Sequence, residues 1–201
     1  MSSRIHIVTA PKATFCDAYI INALSKVWRD QGYEVSIGAV DRLSADINLL
    51  HVDQTWIKED QLPKNPDNRM LLNGGVRDIS KRSFSELILK RDSNYDGPVI
   101  VKTDANSGGE PELRSSRWGF LKKGRRKLAK LIPWTLIHDI PRGRYPIMDS
   151  VEQVPQWVWD RKDLIVEKLV TEKEGDYFVS RQWIFFLASV SIVKKCSRSI
   201  Q

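Results

Sequence analysis

Cysteine and histidine are scarce in this 201-residue chain, and their scarcity excludes several kinds of site. Cys16 and Cys196 are far apart and form no CxxC spacing, and only His6, His51 and His138 are present to assist them as ligands. A structural zinc site needs four such ligands at short spacings, so we expect none, and we assign no metal ligand. Nothing indicates a disulfide framework, which favours a reducing, cytoplasmic location.

Long apolar runs and a large excess of one charge are absent as well. The longest apolar run, Trp183 to Ala188, is far shorter than the roughly 20 residues of a membrane-spanning helix. The first residues contain no apolar stretch of signal-peptide length, so we expect a cytoplasmic protein with no membrane partner. The net charge of +7 does not by itself indicate nucleic acid, and 41% apolar residues suffice for a core in one or two domains.

Residues 4–52 show the alternation of strand and helix patterns that is typical of an α/β layer. The β-branched segments 4–10 and 33–40 predict strands, and the apolar run 47–52 predicts a buried third strand. Helical spacing of apolar residues predicts a helix from Ala13 to Asp30, followed by Gly32 as its C-terminal signal. Strand, helix, strand and strand in this order predict an α/β fold with a parallel sheet.

The rest of the chain mixes helical and extended patterns, and a domain boundary is predicted near residue 70. Apolar spacing predicts a helix over 78–90, whereas 103–117 is predicted to be irregular. The remaining predicted elements are strands at 98–102, 164–170 and 177–187, a turn at Gly175, and a short helix at 154–160.

A lysine followed closely by a glycine-rich loop is the first pattern that points to chemistry. The β-branched segment from Pro98 delivers Lys102, and Ser107-Gly108-Gly109 follows within a few residues. An ammonium group is a mobile charge for phosphate oxygens, and glycines let backbone N–H groups approach them closely. Taken alone, however, a lysine at a strand end is more often simply solvated.

A second pattern combines an apolar strand with nearby carboxylates. Apolar residues run from Leu164 up to Glu167, and Glu172 and Glu174 form an acidic turn just beyond. The end of such a strand can offer backbone groups to the edge of adenine, and a carboxylate can bind ribose hydroxyls. The alternative is a buried strand that leads into a solvated acidic turn.

In this order the segments resemble the ATP-grasp superfamily, over most of the chain. The resemblance implies a Rossmann-like domain at 1–72 and an ATP-binding domain at 73–201, whose two α+β halves clamp ATP. It identifies Lys81 and Lys102 as ATP-contacting lysines and likens His51 to Asp53 to the strand-end loop of the first domain. The other implied ATP contacts are the phosphate loop Ser107, Gly108 and Gly109, the adenine hinge Glu167, Lys168, Leu169 and Val170, and the ribose carboxylate Glu174 or Glu172.

The resemblance implies an ATP-dependent carboxylate–amine ligase that acts through an acylphosphate and uses Mg²⁺. The late carboxylates that hold Mg²⁺ in the family have no counterpart here, because no Asp or Glu follows Asp176. The expectation is therefore a C-terminally truncated relative, with an incomplete ATP-grasp module and little or no turnover. Its carboxylate and amine substrates are not specified by the sequence.

Two basic features leave alternatives open. Arg181 follows the acidic turn and either contacts phosphate or an acylphosphate, as a catalytic residue, or lies on the solvent side of its strand. Residues 114–130 are rich in Lys and Arg and contain Trp118, so they form either a solvated insertion or a binding segment for nucleic acid or another anionic partner. A shortened sheet would also expose an edge near Trp183 to Phe186 and favour homo-oligomers.

Overall fold

The computed structural model describes residues 3–11, 19–115, 132–140, 145–186 and 189–197. The chain forms two compact units, Met1–Ser83 with Ala105–Ser115, and Phe84–Asp104 with Ser116–Gln201. Helices accompany a parallel sheet and antiparallel sheets, as expected for the α/β class. The proposed boundary between 72 and 73 stays a prediction. In the described part of the chain, no helix has the length and apolarity needed to cross a membrane.

The regular elements are short, and most of them are strands. The helices are α1 Ile20–Asp30, α2 Lys81–Phe84, α3 Glu110–Ser115, α4 Trp134–Ile137 and α5 Gln156–Trp159. The strands are β1 Arg4–Val8, β2 Glu34–Gly38, β3 Ile47–Leu50, β4 Met70–Leu72, β5 Val99–Thr103, β6 Ile147–Met148, β7 Leu164–Lys168, β8 Glu172–Glu174, β9 Tyr177–Phe186 and β10 Ser189–Ser197. Short 3-10 turns lie at Glu59–Gln61, Asn106–Gly109 and Val151–Gln153.

The first unit is built on a parallel sheet with the strand order β2-β1-β3-β4. Alternation along β1 sends Ile7 to one face, where it packs with Ile21 of α1, and Val8 to the other face, where it packs with Leu43 and Leu50. Both faces are therefore apolar, as expected of a parallel sheet. The three N-terminal strands and the parallel pairing are as predicted. The helix is seen as α1, and residues 13–18 of the predicted span lie outside the described residues.

The second unit contains two three-stranded antiparallel sheets, with the orders β6-β5-β7 and β10-β9-β8. Val99 and Val101 of β5 and Leu164 and Val166 of β7 point to the same face of the first of these sheets, into a core with Val158 of α5. This core confirms the predicted strands at 98–102 and 164–170 and the short helix within 154–160. β10 pairs with β9 from Phe178 to Phe186, and it has no counterpart in the prediction.

The predicted helix over 78–90 is wrong except for one turn, which lies at Lys81–Phe84 and not at the start of the predicted span. Only α2 is helical, and the next residues run beside β7, where Leu89 N–H donates to the Val166 carbonyl and Lys168 N–H donates to the Leu87 carbonyl. Three serines in this segment weaken the helix, because their side chains compete for backbone hydrogen bonds. Pairing with a distant strand therefore outweighs the local spacing of apolar residues.

Two further stretches differ from the prediction. Residues within 103–117 that were expected to be irregular form the 3-10 turn and α3. The expected acidic turn is strand β8, which pairs with β9 so that Glu172 faces Val179 and Glu174 faces Tyr177. The chain reverses at Gly175, whose φ of 58° is readily available to glycine. This polar segment is a strand because it pairs with the long antiparallel strand β9, a partner that the local sequence does not reveal.

Candidate functional site

Lys102 and Glu167 form an ion pair in the second unit. The Nζ atom of Lys102 lies 2.7 Å from Oε2 of Glu167, although the two residues are 65 positions apart in the chain. The side chain of Glu167 is 6% exposed and that of Lys102 is 27% exposed. Since an isolated carboxylate is costly to bury, the contact with the ammonium group of Lys102 offsets part of the cost of burying Glu167.

The register of β5 and β7 explains why these side chains meet. Lys102 lies opposite Ile165, and Ile100 lies opposite Glu167, so the two charged residues are diagonal neighbours on one face of the sheet. This face is opposite to the one that carries Val99 and Val101 into the core. It combines two apolar side chains, Ile100 and Ile165, with one ion pair.

The segment after Glu167 has the backbone pattern of a strand that is leaving its sheet. The N–H groups of Lys168 and Leu169 donate to the carbonyls of Leu87 and Pro98. The ammonium group of Lys168 lies 5.2 Å from the centre of the Tyr95 ring, a cation–π distance. Val170 follows with 70% of its surface exposed, and no described residue accepts a backbone hydrogen bond from its N–H.

The two candidate ribose carboxylates, Glu172 and Glu174, lie on β8 of the other antiparallel sheet. Both are exposed, and since they are two residues apart in a strand they point to the same side of the sheet. The choice between Glu172 and Glu174 as the ribose carboxylate therefore remains open, because the strand presents both carboxylates on one side.

The first unit brings together Lys81 and the glycine loop that the sequence singles out. Lys81 Nζ donates to the carbonyl of Ala105 at 2.8 Å, directly before the turn Asn106–Gly109. Ser107, Gly108 and Gly109 all have positive φ angles, of 47°, 68° and 72°. Glu110, the next residue, has a φ of −63°, and a pair of residues of opposite handedness can turn successive backbone N–H groups toward a common side, as in anion-binding loops.

A cleft of about 300 Å³ opens at the carboxyl ends of β3 and β4 in the first unit. It is lined by segments that follow these strands, including His51, Asp53, Asn73 and Arg77. Asp53 accepts a hydrogen bond of 2.8 Å from the hydroxyl of Tyr19. Burial lowers the pKa of His51, and the nearby Asp53 offsets part of this effect. The carboxyl ends of parallel strands are where ligands bind in open α/β sheets.

Thr55 and Glu112 of this unit belong to no sequence motif, although both make specific polar contacts. Thr55 is fully buried, and its N–H donates to Oε1 of Glu112 at 2.5 Å. Its hydroxyl accepts the N–H of Asn106 at 2.8 Å. The available signal was the position of Thr55 shortly after a buried strand, which is too common to identify a site.

A metal site is not among the features that the structure describes. Within the described residues, no three side chains of His, Cys, Asp or Glu are grouped so that they could hold an ion. Mg²⁺ requires oxygen ligands, and carboxylates are the ones that proteins supply most often. The Mg²⁺ that the family resemblance implies stays a prediction, and no step below depends on it.

Several predicted features fall outside the described residues. The backbone of Arg181 belongs to β9, but its side chain lies outside the description, as do the side chains of Trp183 to Phe186. Most of the basic segment 114–130, from residue 116 onward, is outside as well. The proposed roles of Arg181, of the basic segment and of a sheet edge in oligomers stay predictions.

Comparison of the chain with protein-family models, with curated proteins and with solved structures finds no match.

Proposed function

We propose that this protein binds ATP in the manner of the ATP-grasp ligases, and that the Lys102–Glu167 face of its second unit binds the adenine base. The observation that carries the proposal is the 2.7 Å ion pair itself. Its two members come from separate sequence motifs, each of which the ATP-grasp resemblance assigns to nucleotide binding. A purely solvated lysine, the alternative interpretation of Lys102, does not explain this contact.

The chemistry of the face suits a purine. Adenine has flat apolar surfaces and an edge that both donates and accepts hydrogen bonds. The face combines polar groups at its margin with Ile100 and Ile165, which are themselves only 6% and 3% exposed. The Val170 N–H is the hinge donor proposed for the acceptor nitrogen of the base, because the N–H groups of Lys168 and Leu169 are already used in the sheet. The exposed Glu172 and Glu174 are the proposed ribose ligands.

Lys81 and the loop Ser107–Gly109 of the first unit carry a proposal of their own, the binding of phosphate oxygens. The ammonium of Lys81 lies at the start of a loop that ends in a pair of residues of opposite handedness, and both features favour binding of phosphate oxygens. Inorganic tripolyphosphate therefore tests these groups without the base, and adenosine tests the Lys102–Glu167 face without the phosphates.

The test is a calorimetric titration of the full chain with ATP and with adenosine. The informative variant is Lys102→Met with Glu167→Gln, which removes both charges and leaves no unpaired buried carboxylate. We expect it to weaken both ligands about tenfold or more, because the two polar groups that the proposal places against the base are replaced. Lys162→Met, at an exposed lysine of the same unit, is the matched control and should leave both affinities unchanged.

A third variant separates this proposal from the nucleic-acid alternative. Replacing Arg125, Arg126 and Lys127 with Gln should not change the affinity for ATP. Binding to the basic segment would instead depend on these residues and fall steeply with salt. Absence of ATP binding by a folded wild-type chain, or equal binding by the double variant, contradicts the proposal.

A further inference from the structure

We infer that Thr55 is a positioning residue, which fixes the glycine loop Ser107–Gly109 and the segment before Lys81 in the geometry needed to hold phosphate. The inference rests on the proposed phosphate role of Lys81 and the loop. It adds a residue that belongs to none of the motifs from which that role was proposed.

Thr55 forms hydrogen bonds with three segments of the first unit, through its hydroxyl, its N–H and its carbonyl. Its hydroxyl oxygen accepts the N–H of Asn106 at 2.8 Å, directly before the loop. Its N–H donates to the carboxylate of Glu112 at 2.5 Å, shortly after the loop. Its carbonyl accepts the N–H of Ile79 at 2.9 Å, two residues before Lys81. One residue therefore connects both ends of the loop with the segment that carries Lys81.

The position of the Thr55 hydroxyl is well defined. Thr55 is 0% exposed, and a β-branched side chain has few rotamers available. Neighbouring backbone contacts hold the same strand-like segment, because Ile57 N–H donates to the Arg77 carbonyl at 2.8 Å. The hydroxyl therefore holds the start of the loop in place through its hydrogen bond with the Asn106 N–H.

The loop itself requires such support. Ser107 adopts φ 47° and ψ 34°, a left-handed conformation that is unfavourable for a residue with a side chain. Such conformations persist where the surrounding structure over-determines them. The contacts of Thr55 with Asn106 and Glu112 on the two sides of the loop, and the bond from Lys81 to the Ala105 carbonyl, provide that constraint.

The test uses Thr55→Val, which replaces the hydroxyl with a methyl group, and Thr55→Ser, which retains it. Hydrogen exchange and ligand titrations are measured on the full chain, with inorganic tripolyphosphate and adenosine as probes. We expect Thr55→Val to accelerate exchange of the Asn106 amide about tenfold or more and to weaken tripolyphosphate binding about tenfold, because the anchoring bond is lost. The affinity for adenosine should stay at the wild-type value. Thr55→Ser, which keeps the hydroxyl, should show wild-type exchange at Asn106 and wild-type affinity for tripolyphosphate.

Thr9→Val is the matched control, because Thr9 is also buried in the first unit and its hydroxyl donates to the carbonyl of the adjacent Ala10. It should change neither loop exchange nor tripolyphosphate affinity. If Thr55→Val has wild-type exchange at Asn106 or wild-type affinity for tripolyphosphate, the inference about Thr55 is overturned, while the proposed phosphate role of the loop is not affected. A folded wild-type chain that binds no tripolyphosphate contradicts the proposed phosphate role, and with it the function for which Thr55 positions the loop.

Discussion

The two units place polar groups differently with respect to their sheets. In the first unit the sheet is parallel and apolar on both faces, and Asp53, Thr55 and Arg77 lie in the segments that follow its strands. In the second unit an ion pair, Lys102 with Glu167, lies within the antiparallel strands themselves. Polar residues after strands lie outside the ladder of the sheet, whereas an ion pair inside a sheet is part of the packing of its strands. Substitutions of Lys102 or Glu167 should therefore lower both the free energy of unfolding and the affinity for ligand, more than substitutions of polar residues in the first unit do.

The largest expected effect is that of Lys102→Ala on the free energy of unfolding. Breaking a buried ion pair leaves its partner uncompensated at a cost of about 3–5 kcal/mol, and the partial exposure of Lys102 reduces our expectation to about 2 kcal/mol. Urea denaturation of the chain measures it. The Lys102→Met, Glu167→Gln double variant should recover more than half of the loss. Equal losses in the single and double variants would show that the charges do not depend on each other.

In the first unit, Glu112→Ala should lower the free energy of unfolding by about 1.5 kcal/mol, because it leaves the buried Thr55 N–H without its acceptor. Glu112→Gln keeps an acceptor oxygen and should lose much less. Denaturation curves of the two variants compare these losses directly. If alanine and glutamine destabilise the unit equally, the hydrogen bond to Thr55 is not what makes Glu112 structurally important.

Replacing a glycine that has a positive φ should have a smaller effect, a loss of about 1 kcal/mol in the free energy of unfolding. Gly108 has a φ of 68°, so Gly108→Ala should destabilise the chain although the added Cβ would have no atom within 4 Å. Gly75 is equally open but does not have a positive φ, and Gly75→Ala is therefore the matched control. The difference between their unfolding midpoints measures the conformational term. No difference between them would contradict the left-handed geometry of the loop.

The smallest effect concerns the pH dependence of stability in the first unit. Burial lowers the pKa of His51 in the folded chain, so near pH 6.5 the unfolded chain binds more protons than the folded one. Stability should therefore fall as the pH decreases from 7.5 to 5.5. His51→Gln should make this fall shallower, as measured by denaturation at both values. An unchanged slope would show that His51 is not protonated differently in the two states.

The elements that could be predicted from sequence are those whose structure depends on local pattern. The β-branched alternation of 4–10 and the apolar run 47–52 both identified strands, because burial on a sheet selects such residues directly. The helix expected at 78–90 failed because Leu89 pairs with Val166, a partner that no local pattern specifies. β8 was missed for the same reason, since its pairing with β9 determines its conformation.

The candidate site was predictable to the same limited degree. Sequence motifs singled out Lys102 and Glu167 separately, but their contact depends on the antiparallel register of β5 and β7. Thr55 has no unusual neighbours in sequence, and its importance comes from contacts with Ile79, Asn106 and Glu112, which lie far along the chain. Residue types therefore indicated candidate chemistry, while long-range pairing determined which groups meet.

The most direct test of the central claim is an NMR titration of the isotope-labelled chain with adenosine, following the backbone amides of residues 165–170. The account predicts saturable shifts centred on the Val170 N–H, and their loss in the Lys102→Met, Glu167→Gln variant but not in Lys162→Met. A folded chain that shows no saturable shift in this segment, or shows the same shifts in the double variant, would contradict the assignment of this face to adenine.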